Sequence, residues 1–569
     1  MIKVKARYAV ASALKDERVK FVFGIPGGHS VNTLYESLYG IKEINVILTR
    51  HEQSASFMGC CYAQATDEPG IIHGTVGPGV GNLVTGLSEA LLGRWPLIAI
   101  CPGSSRASFG KGLQQEFDQI GMYKNIVKWA FRIELPERIP WGLKRAFDIA
   151  CAPPQGPVFL EIPVDIGSEE AELPSYIKST RPLRYAGDPE SVAQAAELIS
   201  KSMKPVILAG GGIHRSKAWN ELRKFCELLA APILTTISGK GAIAESHPLY
   251  AGGVGICRTK FSQKVFEDAD LVIVIGSQLE EQATAGWKWW PENAKFIRID
   301  VDPVQIGRNI LPDISIVGDA KLVLKQLIDY LENKMEGSRT GNPSRINDLI
   351  KLKEDFLESI ADEENSSQVP VRVPRMLREI KESLSKSAWA VVDVGQNLIW
   401  SATWPYFQIA QEGHFIAPSE YVCMGFGAAG VIAVKLANPK DQVVCITGDG
   451  GFQMVGKEMI TAVQYKAPVT WFIMNNYSLG WIKWFEKEFH GGRFIGVDFE
   501  EQPDFVKWAQ SQKCFGVRVE RPGELREAID RALKSNREGV PALVDIVTSP
   551  MDVSYGFQGW HYQVTRQPA

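Results

Sequence analysis

Short apolar runs alternate along this chain with segments of helical periodicity. In the first third the runs are VKFVFGIPGGHS, NVILTR, GIIHGT, LIAICPG and GPVFLEIPVD. Each breaks at glycine, proline or a polar pair, and most feed a helix-like segment. A second series follows, PVILAGGG at 205–212, APILTTISGKGA at 231–242, LVIVIG at 271–276 and KFIRIDVDP at 295–303. A third comprises WAVVDVG, Val443–Thr447, Val469–Met474 and PALVDIV. Continuous apolar strands are buried on both faces, and strands alternating with helices build parallel sheets. The pattern therefore predicts an α/β protein of three doubly wound parallel-sheet domains. Their expected spans are 1–167, 190–333 and 370–550, with an aromatic tail at 551–569. A charged, proline-dotted stretch at 166–190 reads as a linker. A second break at 334–370 carries one helix, DLIKLKEDFLESIAD. Ahead of the first strand, Lys3 to Lys20 read as an amphipathic helix with Tyr8, Val10, Ala11 and Leu14 at helical spacing. No short repeat is visible, and the tail fits no regular period.

Composition narrows the classes. A chain of 569 residues suits three or four domains. A net charge of −3 gives no electrostatic case for nucleic acid or an anionic membrane. No stretch approaches the length of about 18 apolar residues needed to cross a bilayer. The charged N-terminus has no apolar leader core. Nine cysteines are scattered without a CxxC pair, which argues against a zinc site or disulfide framework. A reducing, cytoplasmic setting is expected.

Candidate chemistry gathers at strand ends, where parallel sheets place ligands. The Val443–Thr447 strand breaks into Gly448-Asp449-Gly450-Gly451, and the next ends in Asn475-Asn476. Asp449 and Asn476 should project into one crevice. A hard cation such as Mg²⁺ takes one or two carboxylates plus substrate phosphates. The glycines let backbone N–H groups approach those phosphates. In the first domain Glu52 follows a strand and opens a helix of small residues, QSASFMGCCYAQA, built for close packing. His29 and His73 follow strand ends on the same side and are candidate proton relays. In the middle domain Gly210-Gly211-Gly212 follow one strand, and Asp300 and Asp302 end another, so a carboxylate there could take a ribose hydroxyl. Gly491-Gly492-Arg493 read as a mobile cap whose arginine could meet a substrate carboxylate or phosphate.

The GDG-to-NN stretch resembles the thiamin-diphosphate motif. RHEQSA, FGIPGG, TVGPGVGNLVTG, QQEFDQIG with Lys128-Trp129, PVILAGGG, GKGA with HPLY, IDVDPVQIG, VGQN and MGFGAAG accompany it in order. On these motifs, spread over nearly the whole chain, the protein is identified as a member of the acetolactate-synthase-like superfamily of thiamin-diphosphate enzymes. The resemblance implies a diphosphate held through Mg²⁺ on Asp449, Asn476 and the Ser478 carbonyl. Gly395, Gln396, Asn397, Gly448, Gly450, Gly451, Leu479 and Gly480 would surround it. Pro26, Gly27 and Thr75 would border the pyrimidine, and Glu52 would hydrogen-bond its N1′. This favours the imino tautomer, whose nitrogen removes the thiazolium C2 proton. Met424 would be the apolar wedge that bends the cofactor. Gln115 and Lys128 would line the substrate channel, with Trp484 and Phe485 near the acceptor. Glu52 and the Asp449 site would come from different subunits. The resemblance thus implies a homodimer as minimal unit and a homotetramer as the expected assembly, and it leaves a regulatory subunit open without indicating one.

Some positions depart from the synthase pattern. Gln278 and Gln282 stand where arginines are expected, Phe485 where a tryptophan is, and Val76 where a serine is. Loss of arginine removes a planar fork and a permanent charge. GDAK at 318–321, with Asp319, still resembles the segment against which FAD adenine lies. The central ligand is therefore FAD, ADP or the adenosine part of CoA, or the crevice is empty. The leading expectation is a transferase that decarboxylates a 2-oxoacid such as pyruvate and passes the hydroxyalkyl unit to a second carbonyl. The alternative is a 2-hydroxyacyl-CoA lyase or an oxalyl-CoA decarboxylase acting on acyl-CoA. A non-catalytic paralogue is the third reading, and intact Glu52, Asp449 and Asn476 argue against it.

Overall fold

The computed structural model describes residues 3–181, 184–287, 289–291, 293–334 and 343–558. Three six-stranded sheets dominate, and every neighbouring pair of strands in them is parallel. The first sheet runs Asn45–Leu48, Phe21–Gly24, Gly70–His73, Leu97–Gly103, Pro157–Pro163, Trp129–Arg132. The third runs Phe415–Ile416, Trp389–Val392, Val443–Gly448, Thr470–Asn475, Ala542–Val547, Phe515–Val519. Numbered along the chain within each domain, both have the order 2-1-3-4-6-5. The middle sheet runs Tyr250–Gly253, Ile233–Thr235, Pro205–Ala209, Leu271–Ile275, Lys295–Asp300, Ile314–Val317, in the dinucleotide-fold order 3-2-1-4-5-6.

In each sheet the chain reverses its direction of growth beside the first strand. The loops leaving the two strands there splay apart and open a crevice. The three crevices fall at Pro26-Gly27 with Thr75, at Gly210–Gly212 with Gln278, and at Gly395–Asn397 with Asp449.

Helix Glu52–Thr66 joins the outer domains. Its small residues let it lie against helix Phe426–Ala437, with the Phe57 and Phe426 rings 5.6 Å apart. A Cβ on Gly430 would stand 2.2 Å from Cys61 Sγ. The close packing expected of this helix is thus made within one chain. A buried latch ties the middle domain to the third: Lys240 Nζ meets both oxygens of Glu245 at 2.8 Å, and Glu245 accepts from Tyr250 Oη and Ile409 N.

Some expectations need correction. The first helix spans Arg7–Asp16, shorter than expected, and Tyr8 is exposed because its ring lies outside the buried face. The first linker contains structure: it opens on the end of helix Val164–Ser168, and Glu170–Ala171 then pairs antiparallel with Val4–Lys5. Helix Pro343–Glu364 fills most of the second break. Five strands of the three large sheets did not stand out as apolar runs, Trp129–Arg132, Tyr250–Gly253, Ile314–Val317, Phe415–Ile416 and Phe515–Val519. At the C-terminal end Phe557 packs 4.6 Å from Trp481 and 4.5 Å from Trp484, and Arg258 Nη1 donates to the Gly556 carbonyl. Tail residues 559–569 lie outside the described residues. Among the described residues no helix is long and apolar enough to cross a membrane.

The helix contact makes a direct prediction. Gly430→Ala should destabilise the chain by about 1–3 kcal/mol in denaturant unfolding, because a methyl there overpacks a closed core. Gly523→Ala, where a Cβ meets nothing within 4 Å, should leave stability unchanged.

Candidate active site

Glu52 is the first residue of its helix, and His51 caps it, the ring Nδ1 accepting from Gln53 N at 3.1 Å. The Glu52 side chain is buried, and Oε2 accepts from Asn82 Nδ2 at 2.9 Å. A Cβ on Gly79 would lie 3.1 Å from Oε1, so only glycine lets this turn approach the carboxylate freely. The strand end before Glu52 is fixed from the third domain: buried Glu458 accepts from Arg50 N at 2.9 Å. Pro26-Gly27 and Thr75 face each other, since a Cβ on Gly27 would collide with Thr75 Oγ1. That Thr75 hydroxyl is a buried atom with no hydrogen-bond partner among the described residues. Gln115, at φ +66°, lays its backbone against Gly77 and leaves its side chain exposed. His29 is half-buried beside Gly27 and Gly28.

Asp449 opens helix Asp449–Val455 and is 1% exposed. No lysine or arginine pairs with it among the described residues. Burial pushes its carboxyl up to about 7. Gln502 Nε2 donates to its Oδ2 at 2.5 Å. Asn476 Oδ1 accepts from Ser478 N and Ser478 Oγ, both at 3.1 Å. Gly480 brings its turn against Asn476 and Gln396, where a Cβ would meet Asn476 Nδ2 at 2.5 Å and Gln396 Oε1 at 3.0 Å. Gln396 Nε2 donates to the carbonyls of Gly480 and Pro550, while its Oε1 is buried without a partner. Gly395, at φ +121°, turns the chain so that Asn397 Nδ2 reaches the Asp393 carbonyl at 2.6 Å. Asn397 Oδ1 lies 3.4 Å from where a Cβ on Gly448 would stand. Met424 Cε and Leu479 Cδ2 stand 3.3 and 3.0 Å from the Cβ position of Gly450.

These residues fit a metal-bound diphosphate. A buried carboxylate without a cation, an orphaned Gln396 oxygen and a bare Gly448–Gly451 turn supply charge, acceptor and space. Orphaned Thr75 Oγ1, with Glu52 close by, equips the other half for a polar heterocycle. Asp393 went unrecognised in the sequence. It is fully buried and pushed up to about 6 by burial, accepts from Gly425 N at 3.0 Å and Thr447 Oγ1 at 3.1 Å, and so fixes the loop that carries Met424.

Several expected residues are not brought to this site. Both ring nitrogens of His73 are committed, to the Ile100 carbonyl and Ser30 Oγ, each at 2.6 Å, and burial lowers its pKa to about 4. A neutral ring with no free nitrogen cannot relay protons from that position. Lys128 precedes strand Trp129–Arg132 and therefore lies at the sheet edge opposite Glu52. Its Nζ donates to the carbonyls of Ile149, Ala152 and Pro154, each at 2.7 Å, capping the end of helix Ile139–Cys151. Trp484 is 3% exposed and packs on Phe489 and Phe557 as core. Phe485 packs on Phe489 and His490. Arg493 is exposed with its two glycines.

The middle crevice is lined by Gly211, Gly212, Gln278, Asp300 and Asp319, and Gly210 sits at its strand end, bonded to the Ile275 carbonyl. Two arginines not singled out in the sequence define it. Arg94, from the first domain, donates to Asp302 Oδ2 at 2.8 Å and Gln278 Oε1 at 3.2 Å, and lies 3.8 Å from Asp300. Gln278 Nε2 in turn donates to both oxygens of Glu420, at 2.9 and 3.1 Å. Arg215 is held by the carbonyls of Arg94, Gly211 and Gly93 and has no ion-pair partner among the described residues. Burial lowers its guanidinium to about 10 and raises the Glu280 and Glu420 carboxyls to about 7 and about 8.

Family comparison agrees with this geometry. The model of the thiamine pyrophosphate enzyme N-terminal TPP binding domain matches residues 4–122, the central domain 192–327 and the C-terminal TPP binding domain 393–546. A probable acetolactate synthase large subunit of Methanocaldococcus jannaschii is 36% identical, covering 96% of this chain and 93% of the relative. That of Methanococcus aeolicus is 35% identical, over 95% and 92%. The acetolactate synthase isozyme 3 large subunit of Escherichia coli is 29% identical, over 96% of each chain.

A cation needs Asp449 ionised, so its binding should follow that carboxyl. Affinity for Mg²⁺ with thiamin diphosphate should be full above about pH 8 and fall by about tenfold per unit below about pH 7, where binding should release a proton from the site. Calorimetry in two buffers of different ionisation heat checks this, and Asp449→Asn should abolish the pH dependence together with the affinity.

Proposed function

Because the chain belongs to the thiamine pyrophosphate enzymes, among the acetolactate synthase large subunits, we propose that it decarboxylates pyruvate and joins the two-carbon unit to a second 2-oxoacid. With pyruvate as both partners, two molecules give one acetolactate and one CO₂. The observation that carries this is the pair of half-sites, each a buried carboxylate with no cation of its own among the described residues. Thiamin diphosphate, when bound, supplies an acidic carbon and an electron sink.

The chain's own residues bind and orient. Asp449, Asn476 and the Ser478 carbonyl would hold Mg²⁺, and Gln396 and the Gly448–Gly451 turn would meet the diphosphate. Glu52 keeps Oε2 on Asn82, so Oε1 would be the oxygen left to hydrogen-bond a bound pyrimidine and favour its imino tautomer. Met424 and Leu479 form an apolar wall beside Gly450. Gln115, exposed at the rim, is offered to the substrate.

Gln278 lacks the charge of the expected arginine, and the Arg94 guanidinium at its amide is paired with Asp302, so Arg215 is the cation that the middle crevice offers a ligand. Arg215, a half-buried cation with no carboxylate partner among the described residues, fits the phosphates of a nucleotide such as FAD or ADP. The exposed Pro26, Gly28 and Gln115, with exposed Phe109, Leu113 and Phe117 nearby in the chain, support a second subunit over this face. A homodimer is then the minimal active unit and a homotetramer its extension.

One experiment tests reaction and assembly together. Wild-type protein with thiamin diphosphate, Mg²⁺ and pyruvate should form acetolactate, and Glu52→Gln and Asp449→Asn should each be inactive. Mixing the two variants with subunit exchange should restore roughly a quarter of wild-type activity, since half the dimers then carry one intact site. No activity in the mixture would place Glu52 and Asp449 of one site on the same chain.

A further inference from the structure

The segment after the glycine-rich cap returns to the metal loops and touches both. Its first part pairs with the loop that carries Ser478: Leu479 N donates to the Val497 carbonyl at 2.7 Å, Phe499 N to the Tyr477 carbonyl at 2.8 Å, and Ser478 bridges Asp498. Lys483 pins Asp498 from the following helix. The Phe499 ring reaches within 3.3 Å of the Cβ position of Gly450. Its last part packs on the helix that carries Asp449: Phe505 is 1% exposed, 5.9 Å from Phe452, and Trp508 lies 5.7 Å from Phe452. Asp504 caps helix Phe505–Ser511 by accepting from Lys507 N. Between these two anchors stands Gln502, half-buried, with its amide on Asp449 Oδ2.

We propose that Gln502 is a positioning residue for the metal-binding carboxylate. It engages one oxygen of Asp449 and so fixes the side chain with the other oxygen available to the cation. The proposal rests on the thiamin-diphosphate reading and adds to it a partner drawn from a separate segment. Two features make the amide suited to this task. It is a neutral donor, so it orients the carboxylate without neutralising the charge that the cation needs. It also hangs from a strap fastened at one end to the Ser478 loop and at the other to the Asp449 helix, so it holds these two metal-side elements in register. Outer partners of this kind tune metal affinity by about 10–100-fold.

The test is Gln502→Met, which keeps the length and loses the donor, with Gln502→Ala as second variant. Thiamin-diphosphate binding is followed by calorimetry and tryptophan fluorescence over a Mg²⁺ titration, with circular dichroism to confirm the fold. Both variants should need about 10–100-fold more Mg²⁺ for half-saturation. Saturating Mg²⁺ should then restore kcat, a split that general damage to the domain would not give. Unchanged or tighter Mg²⁺ dependence, or a kcat that saturating Mg²⁺ leaves depressed, would overturn the proposal. Failure of the wild-type protein to bind thiamin diphosphate at any Mg²⁺ concentration would instead strike the cofactor reading itself.

Discussion

The Asp449 carboxylate lies inside the protein without a counter-charge among the described residues. Burying an ionised carboxylate costs several kcal/mol unless a cation or strong donors compensate it. A fold retains such a group at the end of a parallel strand when a ligand completes it. The surroundings follow from that constraint. Strand Val443–Gly448 delivers Asp449 to the switch point, Gly448–Gly451 keep its turn bare, and strand Thr470–Asn475 delivers Asn476 beside it. Asp393 and Gln502 then hold the flanking loops and the carboxylate by hydrogen bonds that bring no positive charge.

The outer domains solve the same problem twice. Both have the strand order 2-1-3-4-6-5, and both open their crevice between the first and third strands. One crevice carries Glu52 and the other Asp449, so the two proposed half-sites stand in related frames. The middle domain has a different strand order, and its crevice is furnished partly from outside. Arg94 enters from the first domain and Glu420 from the third. At Gln278, a neighbour 184 residues away in the chain, Arg94, meets the amide while pairing with Asp302.

Interior strands were legible in the sequence because both faces are covered and the run is continuously apolar. LVIVI at 271–275 is the plainest case. The five strands that were not legible are all sheet edges. FGVRV at 515–519 is half-covered and carries Arg518, YAGG at 250–253 has two glycines, and FI at 415–416 is two residues long. The residues proposed for metal and diphosphate drew attention in the sequence because glycine turns at strand ends announce them. Asn82, Asp393 and Gln502 were not, since each meets its partner across 30 or more positions by a contact that only the fold creates. His73, Lys128 and Trp484 show the converse. Residue type suggested chemistry, but buried acceptors and aromatic neighbours had already claimed their polar atoms and faces.

The account is tested most directly by titrating the protein with thiamin diphosphate in a calorimeter, with and without Mg²⁺, for wild type and Asp449→Asn. Wild type should bind only when Mg²⁺ is present, and Asp449→Asn should lose at least about a hundredfold in affinity, the scale set by stranding a cation without its carboxylate. Equal binding by both proteins, or wild-type binding that ignores Mg²⁺, would contradict it.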